Sequence, residues 1–250
     1  PMVFAYDYGA GRVFQTMLGH SVESLVNPGA AELARRGCVW AVRRDQKPVR
    51  QPRERDMTKF GRSLDTRRMI AAIEPNEAFA TPPLTVECWV KLSLPEEYSV
   101  FLGNEPKSSA THWELFAMPS AGTFVAYMPG YTPDHVRSDQ VINDDRWHYV
   151  AMTFDGKETR LYVDAREVAR SEHTKREDGQ RKEGRLCIGR AYDVNDEAEV
   201  HVPCNGLVDE VRISNMISPI QRVPEDPFQA DDHTIGLWRF DDNPAKLTFE

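Results

Sequence analysis

Paired carboxylates are the first residues in this chain that could carry out chemistry. A sugar-cleaving site on a β-strand needs two acids that flank one bond, and only alternate residues of a strand share a face. The single Glu-x-Asp spacing, Glu54 to Asp56, lies in a polar stretch beside prolines, and pairs such as Asp144 and Asp145 are adjacent. Adjacent acids on a strand point to opposite faces. The sequence therefore predicts no catalytic carboxylate pair.

The histidines and cysteines carry no recognisable nucleophile or metal motif. The seven histidines show no H-E-x-x-H pattern, and the chain has no G-x-S-x-G elbow. The four cysteines are widely separated without a C-x-x-C pair, which argues against zinc-ribbon and thioredoxin-like sites. Cys88 and Cys187 lie in strand-like runs and are expected to be small buried residues. A disulfide between Cys187 and Cys204 is the alternative.

Aromatic residues near turns offer a different kind of site. Trp113, Tyr127, Tyr131 and Tyr192 lie in or beside stretches that carry proline, glycine or aspartate. An exposed aromatic ring combines an apolar face with a polar tip, which suits stacking on a sugar ring. These four are the predicted carbohydrate-binding residues. The alternative for each of them is ordinary packing in the core.

The overall composition limits the partners of the chain. Its formal net charge is −8, whereas binding to nucleic acid needs a concentrated field of lysine and arginine, so no nucleic-acid partner is expected. Apolar runs such as Leu84–Leu92 are far shorter than the roughly 20 residues of a membrane-spanning helix, so no membrane insertion is expected. The chain does not open with the basic and apolar regions of a signal peptide.

Short strand-like runs dominate the chain from Lys59 onward. Runs rich in Val, Ile, Tyr, Phe and Trp alternate with clusters of Gly, Pro, Asp and Asn, which is typical of an antiparallel β-sandwich. Residues 148–154 alternate in polarity and end in an Asp-Gly turn signal before a second alternating run at 160–164. Trp89 should be largely buried, and the charged stretch 172–185 is predicted to be an exposed loop rather than a binding arm. The hairpin predicts these core residues: Val150, Met152, Phe154, Leu161 and Val163.

Several of these runs resemble the laminin-G-like domain of the concanavalin A-like lectin and glucanase family. In chain order they are FGRSL at 60–64, LTVECWVK at 84–91, DRWHYVAMTFDG at 145–156, LYVD at 161–164, LCIG at 186–189 and NGLVDEVRIS at 205–214. The resemblance implies a mainly β fold, an antiparallel jelly-roll β-sandwich over residues 59–242.

The first 44 residues show a different pattern. Two strand-like runs, 2–6 and 12–18, are followed by apolar residues at helical spacing over 30–42. The segments YGAGRVFQ at 8–15, LGH at 18–20 and RGCVWA at 36–41 resemble the C-terminal end of the trehalose-utilisation (ThuA-like) family, which has a glutamine-amidotransferase-like α/β fold. The resemblance implies a short α/β remnant at residues 1–44, and the polar stretch 45–58 is predicted to be a linker.

The laminin-G resemblance implies a function as well as a fold. We expect a non-catalytic carbohydrate-binding or adhesion module of a multidomain, extracytoplasmic protein of bacterial type, with a glycan or alternatively a protein surface as its partner. The alternative is a targeting module of a larger hydrolase or amidotransferase-like enzyme whose catalytic part lies outside this chain.

A structural calcium ion is the one cofactor that family resemblance suggests. The run VDEVRI at 208–213 resembles the closing strand of laminarinase-type glucanases, in which the matching aspartate and nearby carbonyl groups hold calcium. Calcium accepts six to eight oxygen ligands, including backbone carbonyls. Asp209 is therefore the predicted metal ligand. The alternative is that Asp209 pairs with an arginine or caps backbone amides.

Overall fold

The computed structural model describes residues 3–8, 11–16, 28–41, 58–93, 98–191 and 204–241. The chain divides into two compact units, Pro1–Arg53 and Glu54–Glu250. The predicted linker at 45–58 lies outside the described residues except for its last position. No helix among the described residues has the length and apolar character needed to cross a membrane.

The described part of the first unit consists of a hairpin and a helix. Strand β1 (Val3–Tyr8) pairs antiparallel with β2 (Gly11–Thr16), and helix α1 spans Pro28–Ala41. Proline suits the first turn of a helix because its missing N–H would have no partner there. Helix α1 packs closely on β2, since the ring of Phe14 fills the space that a side chain at Gly37 would need. These elements agree with those predicted from the sequence.

The second unit is a sandwich of antiparallel strands, as predicted. Its described strands are β3 (Leu64–Asp65), β4 (Ala71–Ile73), β5 (Leu84–Leu92), β6 (Ser99–Asn104), β7 (Trp113–Ala117), β8 (Thr123–Tyr127), β9 (Tyr131–Thr132), β10 (His135–Val141), β11 (His148–Phe154), β12 (Glu158–Val163), β13 (Arg166–Glu172), β14 (Thr174–Lys175), β15 (Leu186–Ile188), β16 (Gly206–Ser214) and β17 (Thr234–Trp238). A short 3₁₀ helix, Glu77–Ala80, precedes β5.

The strands form two main sheets. The six-stranded sheet has the order β10-β8-β7-β6-β15-β4. The seven-stranded sheet has the order β13-β12-β11-β5-β16-β17, and β3 also pairs with β16. Strands β14 and β9 form a small separate pair. Neighbours in these sheets are often distant in sequence, so long-range pairing holds the sandwich together.

The inward-facing residues of both sheets form one hydrophobic core. The five core residues predicted from the β11–β12 hairpin are all buried in it, and Val150 pairs with Val163 across the two strands. The alternation of side chains along the two strands therefore correctly predicted which of them face the core. All four cysteines are free, and Cys88, Cys187 and Cys204 are buried, so the alternative disulfide between Cys187 and Cys204 is not formed.

Each sheet also has an outer face. On the six-stranded sheet, Val100, Phe116 and Val125 form a small apolar cluster. On the seven-stranded sheet a larger outer cluster includes Trp89 and Tyr149, and residues of the segment 219–229 pack against it. Trp89 is buried, as predicted, but it lies on this outer side rather than between the sheets.

Candidate functional site

A row of paired residues crosses the outer face of the six-stranded sheet. The register pairs Cys187 on β15 with Gly103 on β6, Gly103 with Glu114 on β7, Glu114 with Tyr127 on β8, and Tyr127 with His135 on β10. Neighbouring strands lie about 4.8 Å apart, so the row extends over roughly 19 Å. Small buried residues occupy its β15 end, and partly exposed aromatic residues occupy its β10 end.

Four rings form an aromatic platform at the β10 end of this row. The Tyr127 and His135 rings are half-buried, with centroids 4.6 Å apart and planes tilted by 38°. The Phe116 ring lies 6.4 Å from His135, and the Tyr98 ring lies 5.6 Å from Phe116. Tyr98 is 47% exposed. We call Tyr98, Phe116, Tyr127 and His135 the aromatic platform. Phe116 is buried and supports the other three rings, which are partly exposed and combine an apolar face with polar atoms at the edge.

A carboxylate and an imidazole lie beside the platform. Glu114 is buried, with Lys107 Nζ 3.2 Å from its Oε1 and His112 Nε2 3.6 Å from its Oε2. Within the described part of the chain, His112 Nε2 and Glu114 Oε2 have no hydrogen-bond partner. Burial raises the pKa of Glu114, but His112 and Lys107 outweigh it, and the pKa ends below its ordinary value. Glu114 is therefore ionised at neutral pH.

The hydroxyl of Tyr127 lies among several charged side chains. Burial raises the pKa of Tyr127, Asp134 and Glu114 raise it further, and Arg176 acts in the opposite direction. His135 Nδ1 lies 2.7 Å from Asp134 Oδ1, and this hydrogen bond lowers the pKa of Asp134. The Tyr127 hydroxyl thus stays protonated at neutral pH and can both donate and accept a hydrogen bond.

Two of the predicted sugar-stacking residues lie in the core instead. Trp113 is 3% exposed, and its Nε1 donates to the carbonyl oxygen of Phe79 at 2.8 Å. Tyr131 is 6% exposed and packs edge-on against Phe154, with ring centroids 5.1 Å apart. Rings enclosed in this way cannot stack on a ligand, so the structure assigns Trp113 and Tyr131 to core packing, the alternative weighed from the sequence.

The platform contains one of the predicted residues and several that sequence reasoning missed. Tyr127 belongs to it, whereas Tyr192 lies outside the described residues. His135 was missed although a usable signal exists: it alternates with Val136, whose side chain enters the core. Because successive side chains of a strand face opposite sides of the sheet, His135 must lie on the outer face.

The outer face of the seven-stranded sheet holds a hydrogen-bonded network around Glu87. Glu87 Oε1 accepts a hydrogen bond from the Tyr149 hydroxyl, and Glu87 Oε2 accepts from Arg212 Nε at 3.0 Å and Nη2 at 2.7 Å. The Arg212 guanidinium also lies 4.7 Å from the Phe228 ring centroid. The segment 219–229 walls a pocket of about 490 Å³ above this network. We call Glu87, Tyr149 and Arg212 the sealed network.

Asp209, the predicted calcium ligand, lies at an irregularity of β16. The register with β5 shifts between Asp209 and Arg212, and Glu210 has a φ of 50°. Asp209 Oδ2 accepts hydrogen bonds from the backbone N–H groups of Lys59 at 3.3 Å and Phe60 at 3.0 Å, and its Oδ1 accepts from Glu210 N at 2.9 Å. Burial raises the pKa of Asp209 to about 7.

The groups that contact the Asp209 carboxylate are backbone N–H donors. Among the described residues, no group of three or more His, Cys, Asp or Glu side chains is placed to hold a metal ion. A calcium ion at Asp209 would need backbone carbonyls for most of its six to eight oxygens. Capping of backbone amides, the alternative role for Asp209, is present, and calcium binding there stays a prediction.

Comparison with known families identifies the sandwich. Residues 70–217 match the laminin G model of the concanavalin A-like lectin/glucanases superfamily. The chain belongs to this superfamily. The matched residues run from β4 through β16 and include the aromatic platform and the sealed network. A search of curated proteins found no match to the sequence.

Solved structures share the fold of this superfamily member at low sequence identity. A proposed carbohydrate-binding protein from Bacteroides ovatus is 15% identical over 69% of this chain, with a TM-score of 0.48, and the chain spans about half, 52%, of that protein. The CBM40 domain of the Ruminococcus gnavus IT-sialidase is 13% identical, with 63% of this chain and 94% of that chain covered and a TM-score of 0.48. The LG1-3 region of the laminin α2 chain is 13% identical, with 63% and 31% covered and a TM-score of 0.43. These likenesses are of fold alone.

Proposed function

We propose that the sandwich is a non-catalytic carbohydrate-binding module that holds its glycan at the aromatic platform. The observation that carries the proposal is the pair of half-buried rings, Tyr127 and His135, 4.6 Å apart on the outer face of the six-stranded sheet. The two rings pack against each other, and the exposed part of either ring can stack on the apolar face of a sugar ring. The Tyr127 hydroxyl lies at the edge of this surface, where it can bond to sugar hydroxyl groups.

The charges near the platform support binding rather than cleavage. A glycosidase needs one carboxyl group with a raised pKa to protonate the leaving oxygen. The two carboxyl groups that act on Tyr127, those of Glu114 and Asp134, both have lowered pKa values. Each is held by a cation or an imidazole, so neither is poised to donate a proton.

The wider setting of the module is proposed from family resemblance. We propose that residues 1–44 are the end of a ThuA-like, glutamine-amidotransferase-like domain and that the protein is multidomain and extracytoplasmic. The hairpin and helix of the first unit are compatible with such a remnant. In that setting the sandwich would direct a larger hydrolase or amidotransferase-like enzyme to its glycan. Adhesion to a protein surface is the other role of laminin-G-like domains.

A glycan array followed by titration calorimetry on the full chain tests this function. We expect at least one class of glycan to bind, and Tyr127→Ala to weaken its binding about tenfold or more because a stacking surface is lost. Tyr162→Ala is the matched control, since Tyr162 is a half-buried tyrosine on the outer side of the other sheet. Absence of any glycan ligand, or equal binding by wild type and Tyr127→Ala, would contradict the proposal. Binding to a protein partner without glycan would favour adhesion.

A further inference from the structure

The charged stretch after β13 is fixed onto the six-stranded sheet. Residues 174–185 hold five basic and three acidic side chains in a chain whose net charge is −8. Its backbone bonds to the sandwich at several points, among them Arg176 N to Gly130 O at 2.8 Å and Ala110 N to Gln180 O at 2.9 Å. Most of the stretch is exposed, as predicted from the sequence, but residues 174–175 form strand β14 rather than loop. These bonds hold the stretch in a defined position.

This stretch closes one side of a small pocket. The pocket has a volume of about 190 Å³ and includes Lys107, Ser109, Gly130, Arg176, Asp178 and Gly179 in its lining. Gly130 and Gly179 both lie against Ala110, which leaves no room for a side chain at either position. The pocket lining therefore combines tightly packed backbone with charged side chains. We call this the basic pocket.

The lining of the basic pocket includes two cations and one acidic residue, and each cation has one carboxylate partner. The Arg176 Nε atom lies 3.5 Å from Asp178 Oδ1, and both side chains are exposed. An exposed ion pair of this kind contributes little, so the Arg176 guanidinium can exchange Asp178 for another anion at small cost. Lys107 is shared with Glu114 and is also partly exposed. A guanidinium offers two parallel N–H donors that match a carboxylate or a sulfate group.

The basic pocket lies close to Tyr127 of the aromatic platform. Gly130, which lines the pocket, follows Tyr127 by three residues at the end of β8. Lys107 contacts Glu114, the cross-strand partner of Tyr127. Arg176 is close enough to act on the Tyr127 hydroxyl. One ligand of modest length can therefore reach the rings and the cations together.

We propose that the module recognises acidic glycans, with an anionic substituent bound between Lys107 and Arg176 and a sugar ring stacked on Tyr127. This inference rests on the proposed function and names the class of glycan. Pockets for whole drug-sized ligands run to about 300–1,000 Å³. A pocket of about 190 Å³ is suited to one charged group of a longer chain. Carboxylate and sulfate share the required chemistry.

The test uses acidic glycans, each compared with its neutral partner, in titrations of the full chain. The carboxylate pairs are tetragalacturonate with its methyl ester and sialyllactose with lactose, and the sulfate pair is a sulfated tetrasaccharide with its desulfated form. We expect an acidic member to bind about tenfold or more tightly than its partner, as loss of one charge-assisted hydrogen bond implies. Added salt should weaken that preference because it screens exposed charges. The pairs show whether carboxylate or sulfate is preferred.

Two charge variants locate the anion site. Arg176→Gln should reduce the affinity for the acidic member to that for its neutral partner. Arg170→Gln, an exposed arginine on β13 that pairs with Glu167, should leave it unchanged. Equal binding of acidic and neutral members, both weakened by Tyr127→Ala, would overturn this inference and leave the proposed function standing. If no glycan of either kind binds, the proposed function fails as well.

Discussion

Two buried glutamates, one on each outer face of the sandwich, have similar neighbours but differ in how fully they are hydrogen-bonded. Each lies next to a tyrosine and a basic residue: Glu87 with Tyr149 and Arg212 on the seven-stranded sheet, and Glu114 near Tyr127 and Lys107 on the six-stranded sheet. On the first face both Glu87 oxygens accept hydrogen bonds. On the second, Glu114 Oε2 has no hydrogen-bond partner among the described residues.

This difference separates a structural polar network from a binding surface. A buried charge costs free energy unless its partners satisfy it. The sealed network meets that condition internally and uses Arg212 to anchor the segment 219–229, through a hydrogen bond from Nη1 to the carbonyl oxygen of Gln229 at 3.3 Å. Beside the platform, the buried atoms Glu114 Oε2 and His112 Nε2 have no hydrogen-bond partner among the described residues. The partly exposed rings of Tyr127 and His135 are the part of this face that a ligand can reach.

The largest effect on stability is expected from a substitution that breaks the sealed network. Glu87→Gln keeps the size of the side chain but removes the charge that pairs with Arg212, leaving a partly buried cation without its counter-ion. We expect the free energy of unfolding to fall by about 3 kcal/mol or more, as for other broken buried ion pairs. Urea denaturation at neutral pH measures this change.

The double variant Glu87→Gln with Arg212→Leu is the control for this prediction. It removes both members of the ion pair, so no buried charge is left uncompensated. Replacing both partners of a buried pair is often far less destabilising than removing one. A loss of less than about 1 kcal/mol in Glu87→Gln alone would mean that the network does not stabilise this face.

A smaller effect concerns the pH dependence of stability at Asp209. Its pKa rises from the ordinary value of 3.8 to about 7 in the folded protein, mainly through burial. The folded state therefore holds this proton more tightly than the unfolded state. The resulting stabilisation is complete below pH 3.8 and is lost as the pH rises through 7. Wild type should lose about 2 kcal/mol between pH 5 and pH 8 relative to Asp209→Asn, which cannot titrate.

Denaturation of wild type and Asp209→Asn across this pH range measures the difference in their stability. Adding calcium tests the metal prediction as well. A calcium ion at Asp209 would favour the charged carboxylate and raise the melting temperature with concentration. Thermal scans with calcium and with chelator then decide the metal prediction. A melting temperature that does not respond to calcium, or that rises equally in Asp209→Asn, removes Asp209 as a ligand. Parallel pH profiles for the two proteins would show that Asp209 has an ordinary pKa.

The sequence predicted the inward faces of the strands better than it predicted the outward ones. Strict alternation over β11 and β12 determines which side chains enter the core, and Val150 and Leu161 follow it. The prediction of Trp113 and Tyr131 as sugar-stacking residues relied instead on nearby turn residues, and both rings are buried in the core. Proline and glycine neighbours indicate a nearby turn, but they do not reveal which side of the sheet a ring occupies.

Contacts between distant segments explain what could not be predicted. The indole of Trp113 is bonded to the carbonyl oxygen of Phe79, 34 positions away. The position of Asp209 depends on an irregularity in β16, and no residue pattern announces such a shift. The sealed network requires the segment 219–229 to return over the sheet, which only the folded chain shows. Long-range geometry therefore decided which polar residues were exposed and which were enclosed.

The smallest effect on stability is expected from a substitution on the outer face of the six-stranded sheet. Glu114→Gln is the same substitution as Glu87→Gln, but Glu114 meets a partly exposed lysine at 3.2 Å and an imidazole at 3.6 Å rather than two close arginine donors. We expect the free energy of unfolding to change by less than about 1 kcal/mol, since Lys107 can turn to solvent. The same urea titration measures it, and a loss as large as that of Glu87→Gln would show that both faces are structural and that the contrast between them is not a guide to binding.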